Sequence, residues 1–250
     1  MQRLVAIGDS TVEGLEDPGP DGVYVGWADR LARHLSAAHP GLLYANLAVR
    51  GLTASEVRAT QLEPALALRP DVAVVVAGVN DVLRPRFDAE ALRESVHAMH
   101  GALAASGARV ATFTMPDMSR VAPLARVLRG RIETLNEITR GTAARHGTAV
   151  ADLAVEPLAG DPALWHDDRL HANSEGHRRV ALALAEVLGV ESGDWREPLP
   201  AVDGPGTPAV VLRETAWVAT HLLPWLGRRL LRREPEEVHV CKRPDLLPVD

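Results

Sequence analysis

The strongest constraint on this chain is an alternation. Five short apolar runs, Leu4–Ile7, Leu42–Leu47, Val72–Ala77, Val110–Thr114 and Ala149–Leu153, are separated by stretches with helical spacing. Each run is rich in Val, Leu, Ile or Ala, as expected of strands covered on both faces. Between them, Trp27 to Ala38 sets Leu31, Ala32 and Leu35 on one side of a helix. Thr53-Ala54-Ser55-Glu56 is a capping-box pattern opening a helix to about Leu68. Asp88 stands ready to cap a helix carrying Leu92, Val96, Met99 and Leu103 at helical spacing. Two further helical stretches cover about 121–146 and 174–188. Alternating strands and helices with right-handed crossovers predict an α/β fold: a three-layer α/β/α sandwich around a parallel sheet.

Composition narrows the function classes. At 250 residues and 46% hydrophobic, the chain can bury a sizeable core, which excludes a disordered protein. Cys241 is the only cysteine, so there is no disulfide framework. A net charge of -6 supplies no basic field for nucleic acid. No run approaches the roughly 20 apolar residues of a membrane span. Arg3 leads directly into the first strand rather than into a secretory leader, so a cytoplasmic location is expected.

The pattern changes near Val190. Residues 191–208 are rich in Pro, Gly and acidic side chains and read as a linker or wrapping loop. An apolar segment from Val210 to Leu231 follows, interrupted by Pro224 and accompanied by Arg228, Arg229, Arg232 and Arg233. The expected organisation is a catalytic domain over 1–190 and an extension over 191–250. That extension would be helical and pack on the core or on a second subunit in a homodimer. Peripheral contact with anionic lipid is the alternative.

Ligands of open parallel sheets bind outside the carboxyl ends of the strands. At those ends stand Gly8-Asp9-Ser10, Asn46 to Gly51, Gly78-Val79-Asn80-Asp81, Met115-Pro116-Asp117-Met118 and, one loop after the fifth, Asp168-Arg169-Leu170-His171. A serine hydroxyl needs a base to become a nucleophile, and the His171 imidazole can be that base. Asp168 can accept the Nδ1 proton and steady the cation, with Asp167 as its rival. An oxyanion needs preorganised donors, which the Asn80 amide and the N–H groups of Ser10 and Gly51 can supply. Taken singly, Ser10 reads as a helix N-cap, Asn80 as a strand end and Asp81 as a turn cap. His166, Asp167, Asp168, His171 and His177 together read alternatively as a metal cluster, which would leave the serine without a role. Arg50 suits an anionic substrate or a salt bridge. Met115 and Met118 suit an adaptable acyl pocket or core filling. Trp165 either walls the site or packs its loop.

In these blocks the sequence resembles the SGNH hydrolases, also called GDSL-type esterases and lipases. Gly8-Asp9-Ser10 with Gly14 matches the first block, with Thr11 where the family name has Leu. Asn46 and Gly51 match the second, with Ala48 where Gly is frequent. Gly78-Val79-Asn80-Asp81 matches the third, and Asp168-x-x-His171, followed by Asn173 and Gly176, the last. The resemblance covers about residues 3–190. It implies a flavodoxin-like sheet of five parallel strands. It also implies a Ser10–His171–Asp168 triad and an oxyanion hole of Ser10, Gly51 and Asn80. The expected activity is metal-independent hydrolysis of a small-molecule ester through an acyl-enzyme, without a cofactor. The same residues would serve a carbohydrate O-deacetylase or a thioesterase, and a non-catalytic binding module is the reading of another class.

Overall fold

The computed structural model describes residues 1–20, 22–117, 121, 123–200 and 240–249. Met118 and the apolar and arginine-rich segment 210–231 lie outside the described residues, and with them the expected helical extension. Five parallel strands, β1 (Arg3–Gly8), β2 (Leu43–Asn46), β3 (Val72–Val76), β4 (Arg109–Phe113) and β5 (Ala149–Ala151), run in the order β5-β4-β3-β1-β2. A sixth strand, β6 (Arg243–Pro248), pairs antiparallel with the outer side of β2. The sandwich and the parallel sheet are thus as the alternation predicts, and β6 is an addition to it.

The helices are α1 (Ser10–Glu13), α2 (Gly26–Ala38), α3 (Ala54–Ala67), α4 (Val79–Leu83), α5 (Ala89–Ala105), α6 (Arg129–His146) and α7 (Ser174–Val187). Side chains alternate across each strand, so one strand feeds two cores. Leu4 and Ala6 of β1 pack with Leu31 and Leu35 of α2 and Leu184 of α7. Val5 and Ile7 pack on the other face with Val57 of α3, Met99 of α5 and Ile138 of α6. Every residue of β3 is buried. The predicted caps form: Thr53 and Glu56 make the full capping box of α3, and Asp88 accepts from the N–H groups of Glu90 and Ala91. The helix expected from about 121 instead begins as a 3-10 turn over Pro123–Leu128 and becomes α-helical only at Arg129. Trp195, from the stretch after α7, is buried in the α2/α7 core.

Two buried side-chain amides clamp the backbone at the carboxyl ends of strands. Gln61 of α3 accepts from the Gly8 N–H at 2.8 Å and donates to the Gly8 carbonyl at 2.9 Å. Asn136 of α6 does the same for Met115, at 2.8 Å in each direction. Both clamp the backbone where β1 and β4 enter their carboxyl-end loops. The rim that carries the polar blocks is therefore held by side chains that imitate a neighbouring strand.

Candidate active site

The segment after β1 turns sharply into α1. Asp9, not Ser10, is the N-cap: its Oδ1 accepts from the Thr11 N–H at 3.0 Å and the Thr11 hydroxyl at 2.9 Å. Ser10 is the first residue of α1 and is half-buried. Asn46, at the end of β2, donates to the Val12 carbonyl at 3.0 Å and ties α1 to the sheet. Thr11 therefore does more than pack: a Leu there could not make the hydroxyl bond to Asp9.

From across the fold, His171 reaches this turn. Its Nε2 lies 3.0 Å from Ser10 Oγ and its Nδ1 lies 2.6 Å from Asp168 Oδ2. The loop that presents it is a short antiparallel excursion. Trp165 bridges to Ala172, the His166 N–H donates to the His171 carbonyl at 2.9 Å, and Arg169 takes the left-handed conformation at the tip. Asn173 then caps α7 by accepting from the Glu175 and Gly176 N–H groups. Gly176 is required there, because a Cβ would lie 2.2 Å from the Leu164 carbonyl oxygen.

Asp168 Oδ1 accepts from the Leu170 and His171 N–H groups at 3.0 and 3.1 Å, so both carboxylate oxygens are engaged. Burial pushes its pKa up, but the His171 hydrogen bond, the His171 charge and these two N–H donors pull it further down, to about 2. Asp167 is exposed, and it is Asp168 that meets the imidazole. His177, from the alternative metal cluster, is committed elsewhere: its Nδ1 accepts from the Trp27 N–H and its Nε2 faces the Leu15 carbonyl, both at 3.1 Å. Glu16, His166 and Asp168 bring ligand-type atoms within 4.8 Å of one another.

Asn80 sits near the start of α4. Its Nδ2 donates to the Leu52 carbonyl at 3.1 Å and to Asp9 Oδ2 at 3.3 Å. The Asn80 amide is thus brought to the turn that carries Ser10 and to the loop after β2. In that loop Gly51 has a φ of 81°, a left-handed conformation that explains glycine here; a Cβ would have open space around it. Asp81 accepts from the Ala54 N–H at 2.8 Å and joins α4 to α3.

Asp9 stands in the Gly8-Asp9-Ser10 block, where the sequence reading gives it no role of its own. It is fully buried, and burial is the largest influence on its carboxyl, followed by the opposing Thr11 hydrogen bonds; the outcome is a pKa raised to about 6. Its signal in the sequence is its place in that block, a carboxylate between the end of β1 and a helix start.

The expected substrate-side residues separate. Arg50 is paired with Glu13, with its guanidinium over the Tyr24 ring. Met115 and Trp165 line an apolar cavity of about 140 Å³ together with His171 and Thr11. Trp165 is anchored by its indole N–H, which donates to the Ala159 carbonyl at 2.9 Å.

The model of the GDSL-like lipase/acylhydrolase family matches residues 6–179. No curated protein matches the chain by sequence. Among solved structures, the chain is similar to LAE5, an alpha/beta hydrolase enzyme from the metagenome of Lake Arreo, Spain. That likeness has 24% identity and a TM-score of 0.63, covering 75% of this chain and 95% of that one. It is also similar to a putative GDSL-like lipase from Parabacteroides merdae, at 16% identity and a TM-score of 0.67, covering 76% and 96%. A third likeness is to Axe2, an acetylxylan esterase from Geobacillus stearothermophilus, at 18% identity and a TM-score of 0.62, covering 78% and 95%. These likenesses show the fold. Among the described residues, no helix is long and apolar enough to cross a membrane.

Proposed function

Because the chain belongs to the GDSL-like lipase/acylhydrolase family, we propose that it hydrolyses small-molecule esters through an acyl-enzyme on Ser10, without a metal. The observation that carries this reading is the continuous chain Ser10 Oγ, His171 Nε2, His171 Nδ1, Asp168 Oδ2, with links of 3.0 and 2.6 Å. Its members come from opposite ends of the family match. The catalytic unit is residues 1–190.

In the first step Ser10 Oγ attacks the carbonyl carbon while His171 Nε2 takes the hydroxyl proton. Asp168 fixes the tautomer by accepting from Nδ1 and stabilises the imidazolium that forms. Its low pKa keeps it ionised wherever the enzyme would work. The oxyanion is received by the N–H groups of Ser10 and Gly51 and the Asn80 amide. At rest both Asn80 N–H groups have acceptors, so an entering oxyanion replaces one of them; the 3.3 Å bond to Asp9 is the longer and weaker. Asp9 and Leu52 hold the amide in place until then. His171 next protonates the leaving alcohol. A water then enters at the same nitrogen, loses its proton to it and releases the acid.

The test is a Ser10→Ala protein set beside the native one. Turnover of simple esters should fall by roughly 10⁴–10⁶, and labelling by an organophosphonate serine probe should vanish. A Ser10→Ala protein with native turnover would refute the assignment, and a native protein that neither labels nor turns over would favour a binding module.

A further inference from the structure

We propose that the apolar cavity beside His171 is an acyl-chain site, and that the preferred substrates are esters of medium-chain acids of about six carbons rather than acetates. This rests on the ester-hydrolase reading above and specifies its substrate class.

The cavity of about 140 Å³ is bounded by the imidazole at the reacting centre and reaches core side chains, among them Trp27, Phe113 and Leu153. Protein interiors are close-packed, and an unfilled space of this size is rare in a core. The charged and titratable side chains of the lining have partners: His177 as described above, and Arg179 on Glu175 and on the carbonyls of Trp195 and Glu197. Among the described residues the buried Trp27 indole N–H is a lining donor without a partner, and the rest of what meets a ligand is almost entirely hydrocarbon. A cavity of about 150 Å³ lined by aliphatic and aromatic side chains takes up benzene. The space here therefore fits a group of about six carbons. Its wall is preorganised, since the Met115 backbone is clamped by Asn136 in both directions.

Chemistry decides which arm of the ester belongs there. The alcohol must leave from His171 Nε2, and water must reach the same nitrogen. An arm buried among core residues would block that exchange if it were the alcohol. The acyl arm stays bonded to Ser10 through both steps, so it can remain buried while alcohol and water use the exposed side of Ser10.

The experiment is a series of p-nitrophenyl esters from acetyl to dodecanoyl on the full chain, with organophosphonate labelling in parallel. Each buried methylene should raise kcat/KM about fourfold, giving roughly two hundredfold from acetyl to hexanoyl. The gain should end once the chain outgrows the cavity. Leu158→Trp and Ile132→Phe, placed on two different half-buried walls, should each lower the hexanoyl-to-acetyl ratio at least tenfold, and the ratio is read from whichever variant folds. A flat series, a preference for acetyl, or an unchanged ratio in every variant that folds would overturn the acyl site while leaving the hydrolase reading intact. Failure to label and to cleave any ester would instead overturn the hydrolase reading.

Discussion

Replacing Asp9 by Asn should make the protein more stable at neutral and alkaline pH relative to acid, and less active. The buried Asp9 carboxyl has a folded pKa of about 6 against an ordinary 3.8, so folding favours its protonated form. Linkage sets the sign. A raised pKa gives a contribution fully present below about 3.8 and lost as pH rises through 6. From pH 5 to pH 8 that loss is on the order of 1 kcal/mol, and Asn, which does not titrate, is spared it. Consequences of the substitution that involve no charge, such as altered packing, are independent of pH and cancel in the comparison. The Oδ1 of the new Asn side chain would stay on the two Thr11 donors, leaving its NH₂ facing the Asn80 amide, donor against donor. Asn80 would be displaced, and kcat should fall by up to about 10²–10³, the range for loss of one oxyanion donor. Urea unfolding of both proteins at pH 5 and pH 8 measures the stability term. The difference between the Asp9→Asn protein and the native one should move by on the order of 1 kcal/mol in favour of the variant at pH 8, about 2–4 °C in melting temperature. A difference that does not change with pH would refute the buried, late-titrating carboxylate.

Two other substitutions separate the roles at the site. Asn80→Ala should lower kcat by about 10²–10³ with little change in KM, read from steady-state kinetics on a short-chain ester. Asp168→Asn should lower kcat/KM by between about 10² and 10⁴. The lower figure follows from the charge interaction behind its depressed pKa, and the higher one applies if the His171 tautomer also inverts. The native advantage in stability from Asp168, about 2 kcal/mol, is present above pH 3.8 and should disappear as pH falls toward 2, which acid unfolding of the two proteins would reveal.

The parts of this molecule legible in its sequence are those governed by local or periodic physics. β3, with its Val-Ala-Val-Val-Val, has to be buried on both faces, and the boxes at Thr53 and Asp88 satisfy helix N–H groups within three residues of themselves. The polar blocks were legible because a parallel sheet sends every strand's carboxyl end to one rim. What escaped depends on distant partners. β6 contains two prolines, an Arg and an Asp, and shows no strand periodicity; it is a strand because β2 offers it an open side. Gln61 looks like any polar residue of an exposed helix until Gly8 is found beside it. Arg50 could have faced a substrate from its place in the loop, and only the fold brings Glu13 to it across 37 residues.

The pairing of β6 with β2 bears on solubility as well as architecture. Without Arg243–Pro248, β2 would present unsatisfied peptide groups along its outer side, an invitation to any other extended chain. β6 fills that position with a segment whose prolines lack donors, making it a poor template for further growth. At the opposite margin β5 is only three residues long. Both flanks are thus poor nuclei for intermolecular β-pairing, so a chain trimmed of its final strand would tend to self-associate before it lost its catalytic geometry.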